Sequence, residues 1–253
     1  MIEAGYTEVI LSLVLVAIAI AVSRWWKIPV QKEMIFGTLR SFVQLVAVGY
    51  ALEFIFNLEN IWLIFAVIMI MISVGAHTVS GRIKKTPSSF YTAFISITIG
   101  SLLTLGLMLL LRIITFEARF IIPLAGMIIS NSMNASTLTI NRIASDIKTN
   151  RLRIETALAL GKTWREASKN FQQDAVIAGM TMILNFMKTA GIVALPGAMT
   201  GMILAGAEPL KAVLLQVIVG YMILSSVSIS SVIALELTVR KFFTSSQQLK
   251  IEV

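Results

Sequence analysis

The sequence predicts an all-α, polytopic membrane protein with about seven transmembrane helices and one long polar, helix-forming segment between two of them. Three observations carry that prediction. Apolar runs of about twenty residues recur along the chain, the length a helix needs to cross roughly 30 Å of hydrocarbon. Hydrophobic residues make up 57% and charged residues only 13%, against roughly 25% charged in a soluble domain, and mean hydropathy is +0.87. One long polar segment, 141–174, interrupts the apolar sequence and reads NRIASDIKTNRLRIETALALGKTWREASKNFQQD. A β-barrel would show short alternating segments instead.

Taken in order, the N-terminus carries Glu3 and Glu8 and no early basic residue, unlike a signal peptide. The first apolar run is therefore read as a retained helix, 6–23, stopped by the interfacial anchor Arg24-Trp25-Trp26-Lys27 and a turn at Pro29. A second span is expected at 35–56 and a third at 61–80, joined by Asn57-Leu58-Glu59-Asn60. The basic turn at 81–87 leads to a fourth span at 90–111, and a link with Arg112, Glu117 and Arg119 leads to a fifth at 120–140. Beyond the polar segment, 175–239 must hold two spans, since one helix over it would be about 97 Å long. Breaks at Leu195-Pro196-Gly197 and Gly206-Ala207-Glu208-Pro209 place them at 175–195 and 210–239. The piece at 196–208 is too short to cross. It is either an outer-face helix or one limb of a re-entrant loop. The whole chain, 1–253, is read as one transmembrane domain.

Of the 21 Lys and Arg, 16 fall in the links at 24–33 and 81–89, in the polar segment and in the C-terminal tail. Only Arg112, Arg119 and Lys211 fall in the opposite links. The positive-inside rule then makes 141–174 cytoplasmic, with the N-terminus outside and the C-terminus inside a plasma or inner membrane. The outer side is comparatively acidic, with Glu3, Glu8, Glu53, Glu59, Glu117 and Glu208. The formal net charge of +8 is read as this bias, not as a nucleic-acid footprint. Having no cysteine, the chain cannot form disulfides, thiolate metal sites or iron–sulfur ligation, and its single histidine, His77, excludes a multi-histidine centre. His77 is read as an interfacial residue.

Within the polar segment, Gly161-Lys162-Thr163 matches the end of a phosphate-binding loop. Thr156 stands where that loop needs its first glycine, and 151–169 reads as helix, so neither nucleotide binding nor catalysis is expected here. The same stretch, Glu155-Thr156-Ala157-Leu158-Ala159-Leu160-Gly161, has the form E-x-A-x-x-x-G between two spans. It resembles the coupling-helix (EAA) loop of ABC transporter permeases, which implies insertion into a cleft on a separate ATP-binding subunit. On that reading Ala157 and Gly161, four residues apart, clear one face. Glu155 and Arg165, with Arg151 and Lys162, supply polar contacts, and Trp164 and Phe171 offer aromatic anchors. Phe171, Gln173 and Asp174 depart from the fuller import-permease pattern. The competing reading is an amphipathic helix lying on the headgroups.

A second resemblance covers nearly the whole chain. Leu39-Arg40-Ser41-Phe42-Val43-Gln44-Leu45, Gly126-Met127-Ile128-Ile129-Ser130-Asn131-Ser132-Met133-Asn134-Ala135, and the run from Met187 to Gly201 are similar to the FetB-type permease family. That family includes bacterial membrane subunits implicated in iron export and plant relatives linked to aluminium tolerance. The resemblance implies two permease copies working with two copies of an ATPase, which alone binds ATP–Mg. No cofactor is expected in this chain. Met202 stands where the family typically has glutamine.

Polar residues inside spans are the candidate lining of a path, because a mid-span Lys or Arg costs roughly 2.5–3.5 kcal/mol and normally faces protein or water. These are Arg40 and Gln44 in the second span, Asn131, Met133 and Asn134 in the fifth, Asn185 and Lys188 in the sixth, and Met202 beyond it. Amide oxygens and thioethers would be weak ligands for a hydrated or chelated cation, and Lys188 favours a chelate or an anion. No metal ligand set is assigned. The alternative role is helix–helix hydrogen bonding at about 0.6 kcal/mol per pair. Gly197, Gly201 and Ala205, four apart, would permit close packing, within the chain or against a second copy. Ser225, Ser226, Ser228, Ser230 and Ser231 make the seventh span narrow and polar. The expected function is an ABC permease subunit exporting iron, a related metal or its chelate. The alternatives are a stand-alone secondary transporter or channel, an ABC permease for a non-metal substrate, and a membrane scaffold.

Overall fold

The computed structural model describes residues 5–56, 60–83, 89–244 and 246–250, save the side chains of Tyr6 and of 52–56. Glu3, the link residues Asn57, Leu58 and Glu59, and the turn residues Lys84, Lys85 and Pro87 therefore lie outside the described residues, as does the side chain of Glu53. The described residues form helices, with isolated bridges only at Ala190–Ala194 and Phe243–Leu249. They fall in two compact units, Met1–Leu58 and Glu59–Val253.

The first unit contains α1 (Tyr6–Trp25) and α2 (Gln31–Phe56). Glu8 reaches back to accept the Gly5 N–H at 2.8 Å and closes the first turn of α1. The helix stops where Lys27 takes a left-handed conformation, φ 53°. The N–H groups of Lys27 and Ile28 then return to the carbonyls of Arg24 and Ser23 at 3.1 and 2.9 Å. Trp25 and Trp26 project outward at this end, as an interfacial anchor should. Most apolar side chains of both helices are exposed, which suits contact with hydrocarbon and not with water.

The second unit contains α3 (Ile61–Arg82), α4 (Ser89–Leu110), α5 (Ala118–Thr149), α6 (Arg151–Ala159), α7 (Trp164–Thr189), α8 (Gly197–Leu204) and α9 (Pro209–Val239), followed by a 3-10 turn, Arg240–Phe242. Helix α5 packs on α3, α4, α7 and α9, and α9 packs on α4, α5, α7 and α8. Small and hydroxyl residues sit at several of these contacts, beside buried aliphatic side chains such as Ile97, Ile128 and Val227. Ser96 of α4 lies 3.1 Å from Ser136 of α5, and Ser230 of α9 donates to the Ser96 carbonyl at 3.1 Å. Hydrocarbon gives helices no hydrophobic reason to associate, so close backbone approach and interhelical hydrogen bonds take over. Two glycines set the approach. A methyl group on Gly100 would collide with the Ser230 hydroxyl, and one on Gly179 with the Thr139 hydroxyl. Of the serines expected to shape the last span, Ser226, Ser230 and Ser231 are buried, while Ser225 and Ser228 are half-buried.

The chain is a polytopic, all-α membrane protein. Among the described residues five helices, α1 to α4 and α9, are long and apolar enough to cross a membrane. The expected fifth and sixth spans correspond to α5 and α7, which are long enough, at 32 and 26 residues, but more polar. The expected boundaries shift in three places. Helix α5 does not end at 140 but runs to Thr149, because Ile143 and Ile147 continue its buried face. Helix α7 ends at Thr189, before 195, where the chain turns through Gly191 at φ 84°. The region 151–169 is two helices with a break at 160–163. At 196–208 the chain forms the eight-residue α8, packed on α9 through buried Met199. Gly197 and Gly201 have no atom within 4 Å of where a side chain would begin, so they do not mediate close packing within the described chain. His77 is exposed on α3.

Gly100→Ala overpacks the α4–α9 contact and costs about 1–3 kcal/mol. Ser230→Ala in the same chain removes the colliding hydroxyl and restores part of the loss, as read by thermal stability of the purified protein in detergent.

Candidate coupling site and polar cleft

The polar segment folds back on the unit instead of standing apart as a loop. Ile154 of α6 is fully buried in a cluster with Ile143 and Ile147 of α5, Ala175 of α7, and Leu235, Val239, Phe242 and Phe243 at the C-terminal side. Leu158, one turn on, packs against the same cluster. With 154 and 158 turned inward, the opposite face of α6 presents Leu152, Thr156 and Ala159, and Leu160 stands at its C-cap. Leu152 and Leu160 are each 78% exposed. Two exposed leucines thus stand on a segment that also carries Arg151, Arg153 and Lys162.

The turn after α6 has a defined geometry. The N–H groups of Gly161 and Lys162 bond the carbonyls of Leu158 and Ala157 at 3.0 and 3.1 Å, with Gly161 at φ 85°. This is the Schellman arrangement, and the left-handed position favours glycine. Thr163 then caps α7: its hydroxyl accepts the Glu166 N–H at 3.3 Å, and Glu166 accepts the Thr163 N–H at 2.8 Å. Those bonds, the backbone one foremost, hold the Glu166 carboxyl below the usual carboxylate range.

One of the sequence-derived arguments about this segment needs correction, and the other residues it named have partners within the chain. Ala157 and Gly161 do not share a helical face, because α6 ends at Ala159 and Gly161 sits in the turn. Trp164 is half-buried and stacks on Phe243, ring centroids 5.6 Å apart, while Phe171 packs on the buried cluster under Arg153. Both aromatics are thus engaged within the chain. Glu155 pairs with Arg151 at 2.8 Å. Arg165 pairs with Glu236 at 2.5 Å, and Glu236 also takes Arg240 at 2.7 Å. Half-exposed pairs contribute at most about 1 kcal/mol, so their effect is chiefly to orient. The exposed Leu152 and Leu160 were not singled out from sequence. Their spacing of eight residues, out of phase with Ile154 and Leu158, was the available signal.

The candidate path residues separate. Arg40 and Gln44 are exposed on α2, in the first unit. The others belong to the second unit. Asn131 of α5 donates to the Met127 carbonyl at 2.8 Å and lines a cleft of about 320 Å³ with Met127, Met182, Phe186 and Gln216. A neighbouring cleft of about 330 Å³ shares Phe186, Pro196 and Gln216 and is lined by Met187, Met199 and Tyr221. Met133 instead points its sulfur towards Gly75 of α3. Asn134 and Met202 are half-buried and line neither cleft, and Asn185 and Lys188 are exposed on α7. Of the eight residues, only Asn131 reaches the clefts. Gln216, a lone amide in the apolar α9, joins it and was missed. Among the described residues no three His, Asp or Glu gather to hold a metal, and the donors at the clefts are amides, thioethers and a phenol.

The sequence pattern described as "Uncharacterised protein family (UPF0014)" matches residues 6–243. The chain belongs to the UPF0014 family. It is 37% identical over 249 residues to "Protein ALUMINUM SENSITIVE 3" of Arabidopsis thaliana, covering 98% of this chain and 91% of that protein. It is 38% identical over 245 residues to "UPF0014 membrane protein YjkA" of Bacillus subtilis, covering 97% and 98%. It is 36% identical over 239 residues to "Probable iron export permease protein FetB" of Escherichia coli, covering 94% and 92%. The resemblance noted from the sequence is thus to the right family. No solved structure matches the chain.

Gly161→Ala meets no atom, so its cost is conformational, roughly 1–2 kcal/mol for an alanine held left-handed. Amide exchange at 160–163 accelerates by about 5–30-fold. Gly161→Asn, which tolerates this conformation better, recovers part of the protection.

Proposed function

We propose that this chain is the membrane-spanning subunit of an ABC transporter that exports iron, a related metal or its chelate, driven by a separate ATPase. The observation that carries the reading is the outward face of α6, where Leu152 and Leu160 stand exposed on a helix whose other face is anchored by Ile154. A water-facing helix with a rigid base and an apolar crest suits insertion into a groove on a soluble partner. In this reading the permease acts as a homodimer with two ATPase copies, each holding ATP–Mg, and the chain itself catalyses nothing. The name borne by the Escherichia coli relative supports iron as the cargo class, and the amide and thioether clefts offer weak, reversible donors.

The same reading puts the 141–174 end in the cytoplasm, with the N-terminus outside and the C-terminus inside. Its support is that the α6 turn and the C-terminal tail share one end of the second unit, and that Lys241 of the tail donates to Thr92, near the start of α4, at 2.6 Å. Within the second unit the polar segment, the basic tail and the start of α4 thus lie at one end, which agrees with the positive-inside rule. Nucleotide-driven closure of the ATPases would displace α6 and reorient the spans as rigid bodies.

Replacing Leu152 and Leu160 together by lysine is expected to weaken co-purification with a co-expressed ATP-binding-cassette subunit at least tenfold, a loss of about 1.4 kcal/mol or more. The elution profile of the permease alone stays unchanged. Undiminished association contradicts the reading.

A further inference from the structure

We propose that the C-terminal residues 242–244 and 246–250 form a strap that locks the α6–α7 turn to the end of α9, so that the turn and the last membrane helix move as one body. Its mechanical consequence rests on the reading that α6 docks onto an ATPase; the lock itself does not.

The strap is a built feature. After the 3-10 turn, Phe242 and Phe243 are 1% and 5% exposed, inside the same cluster as Ile154. The chain then reverses. Thr244 N–H bonds the Gln248 carbonyl at 2.8 Å, Lys250 N–H bonds the Phe242 carbonyl at 2.9 Å, and Gln247 adopts a left-handed φ of 61° at the tip. Leu249 returns to pack on the cluster and pairs with Phe243 through an isolated bridge.

This reversal delivers two groups to the turn. The Phe243 ring stacks on Trp164, the first residue of α7, with an interplanar angle of 27°. The Gln247 side-chain oxygen accepts the Trp164 N–H at 3.3 Å. That N–H is one of the donors a helix leaves unpaired at its start, and here a residue 83 positions downstream supplies its acceptor. Beside them, Glu236 of α9 takes both Arg165 and Arg240. The turn is thus held from α9 by a ring stack, a capping hydrogen bond and a shared carboxylate. None of these is needed to cross a membrane. A displacement of α6 is carried directly into α9, which lines both clefts through Gln216.

The test compares Phe243→Leu/Gln247→Ala, which keeps apolar volume but removes the stack and the cap, with Gln248→Ala, whose side chain makes no contact named above. In the purified chain, hydrogen exchange at 160–165 is expected to rise at least tenfold in the double variant, with α4 and α5 unchanged. Unchanged exchange at the turn overturns the lock, whatever the ATPase does, and so does acceleration spread evenly over α4 and α5. In proteoliposomes with the ATP-binding-cassette subunit, Fe²⁺ moved per ATP hydrolysed is expected to fall at least fivefold while ATP hydrolysis persists. Faster exchange with unchanged stoichiometry overturns the mechanical role. If the wild-type chain binds no such subunit, the proposed function fails, and the exchange result still decides the lock.

Discussion

The end of the second unit that carries the polar segment depends on one apolar cluster, in which Ile154 of α6 is buried with Ile143 and Ile147 of α5 and with Leu235, Val239 and Phe242 of the C-terminal end. A short helix in water has little stability of its own; α6, nine residues long, persists because this contact fixes one of its faces. The rest of the candidate site follows from that orientation. With Ile154 and Leu158 committed inward, Leu152 and Leu160 can only point out. The Schellman turn at Gly161 and the Thr163 cap then reverse the chain and launch α7 back along the unit.

Towards the membrane the constraint changes character. Hydrocarbon cannot solvate polar groups and does not drive apolar helices together. The α4–α5–α7–α9 contacts accordingly rely on serine, threonine and glycine, with Gly100 and Gly179 admitting a hydroxyl where any side chain would collide. Such interfaces permit close packing without large side chains. They join the cluster around Ile154 at one end to the largely apolar clefts further along α9, where the amides of Asn131 and Gln216 are found.

The helical membrane class was readable because a twenty-residue apolar run has few other meanings, and each expected span corresponds to one long helix. Boundaries were less readable at 140 and 195. Ile143 and Ile147 sit among charged residues, so their burial depends on α9, which lies about ninety residues away along the chain. Gly161 was recognised as important for the wrong reason: a glycine at i+4 from an alanine looks like a cleared face, and only the backbone conformation marks it as a helix terminator. Trp164 and Phe171 looked available because nothing local announces that Phe243 or the buried cluster will cover them. The polar candidates scattered for a similar reason. A polar residue in an apolar helix advertises that it must face something, but helical phase alone does not say which neighbour. Family membership, by contrast, was visible in contiguous motifs that survive any repacking.

The central claim is that the exposed crest of α6 is where a nucleotide-binding subunit docks. A photo-reactive amino acid placed singly at 152, 154, 158 or 160 in cell membranes tests it most directly. The account predicts that positions 152 and 160 capture a protein identified by its sequence as an ATP-binding cassette, while 154 and 158 cross-link only within the chain. Capture of lipid alone at 152 and 160, or of no cassette protein from any position, would contradict it.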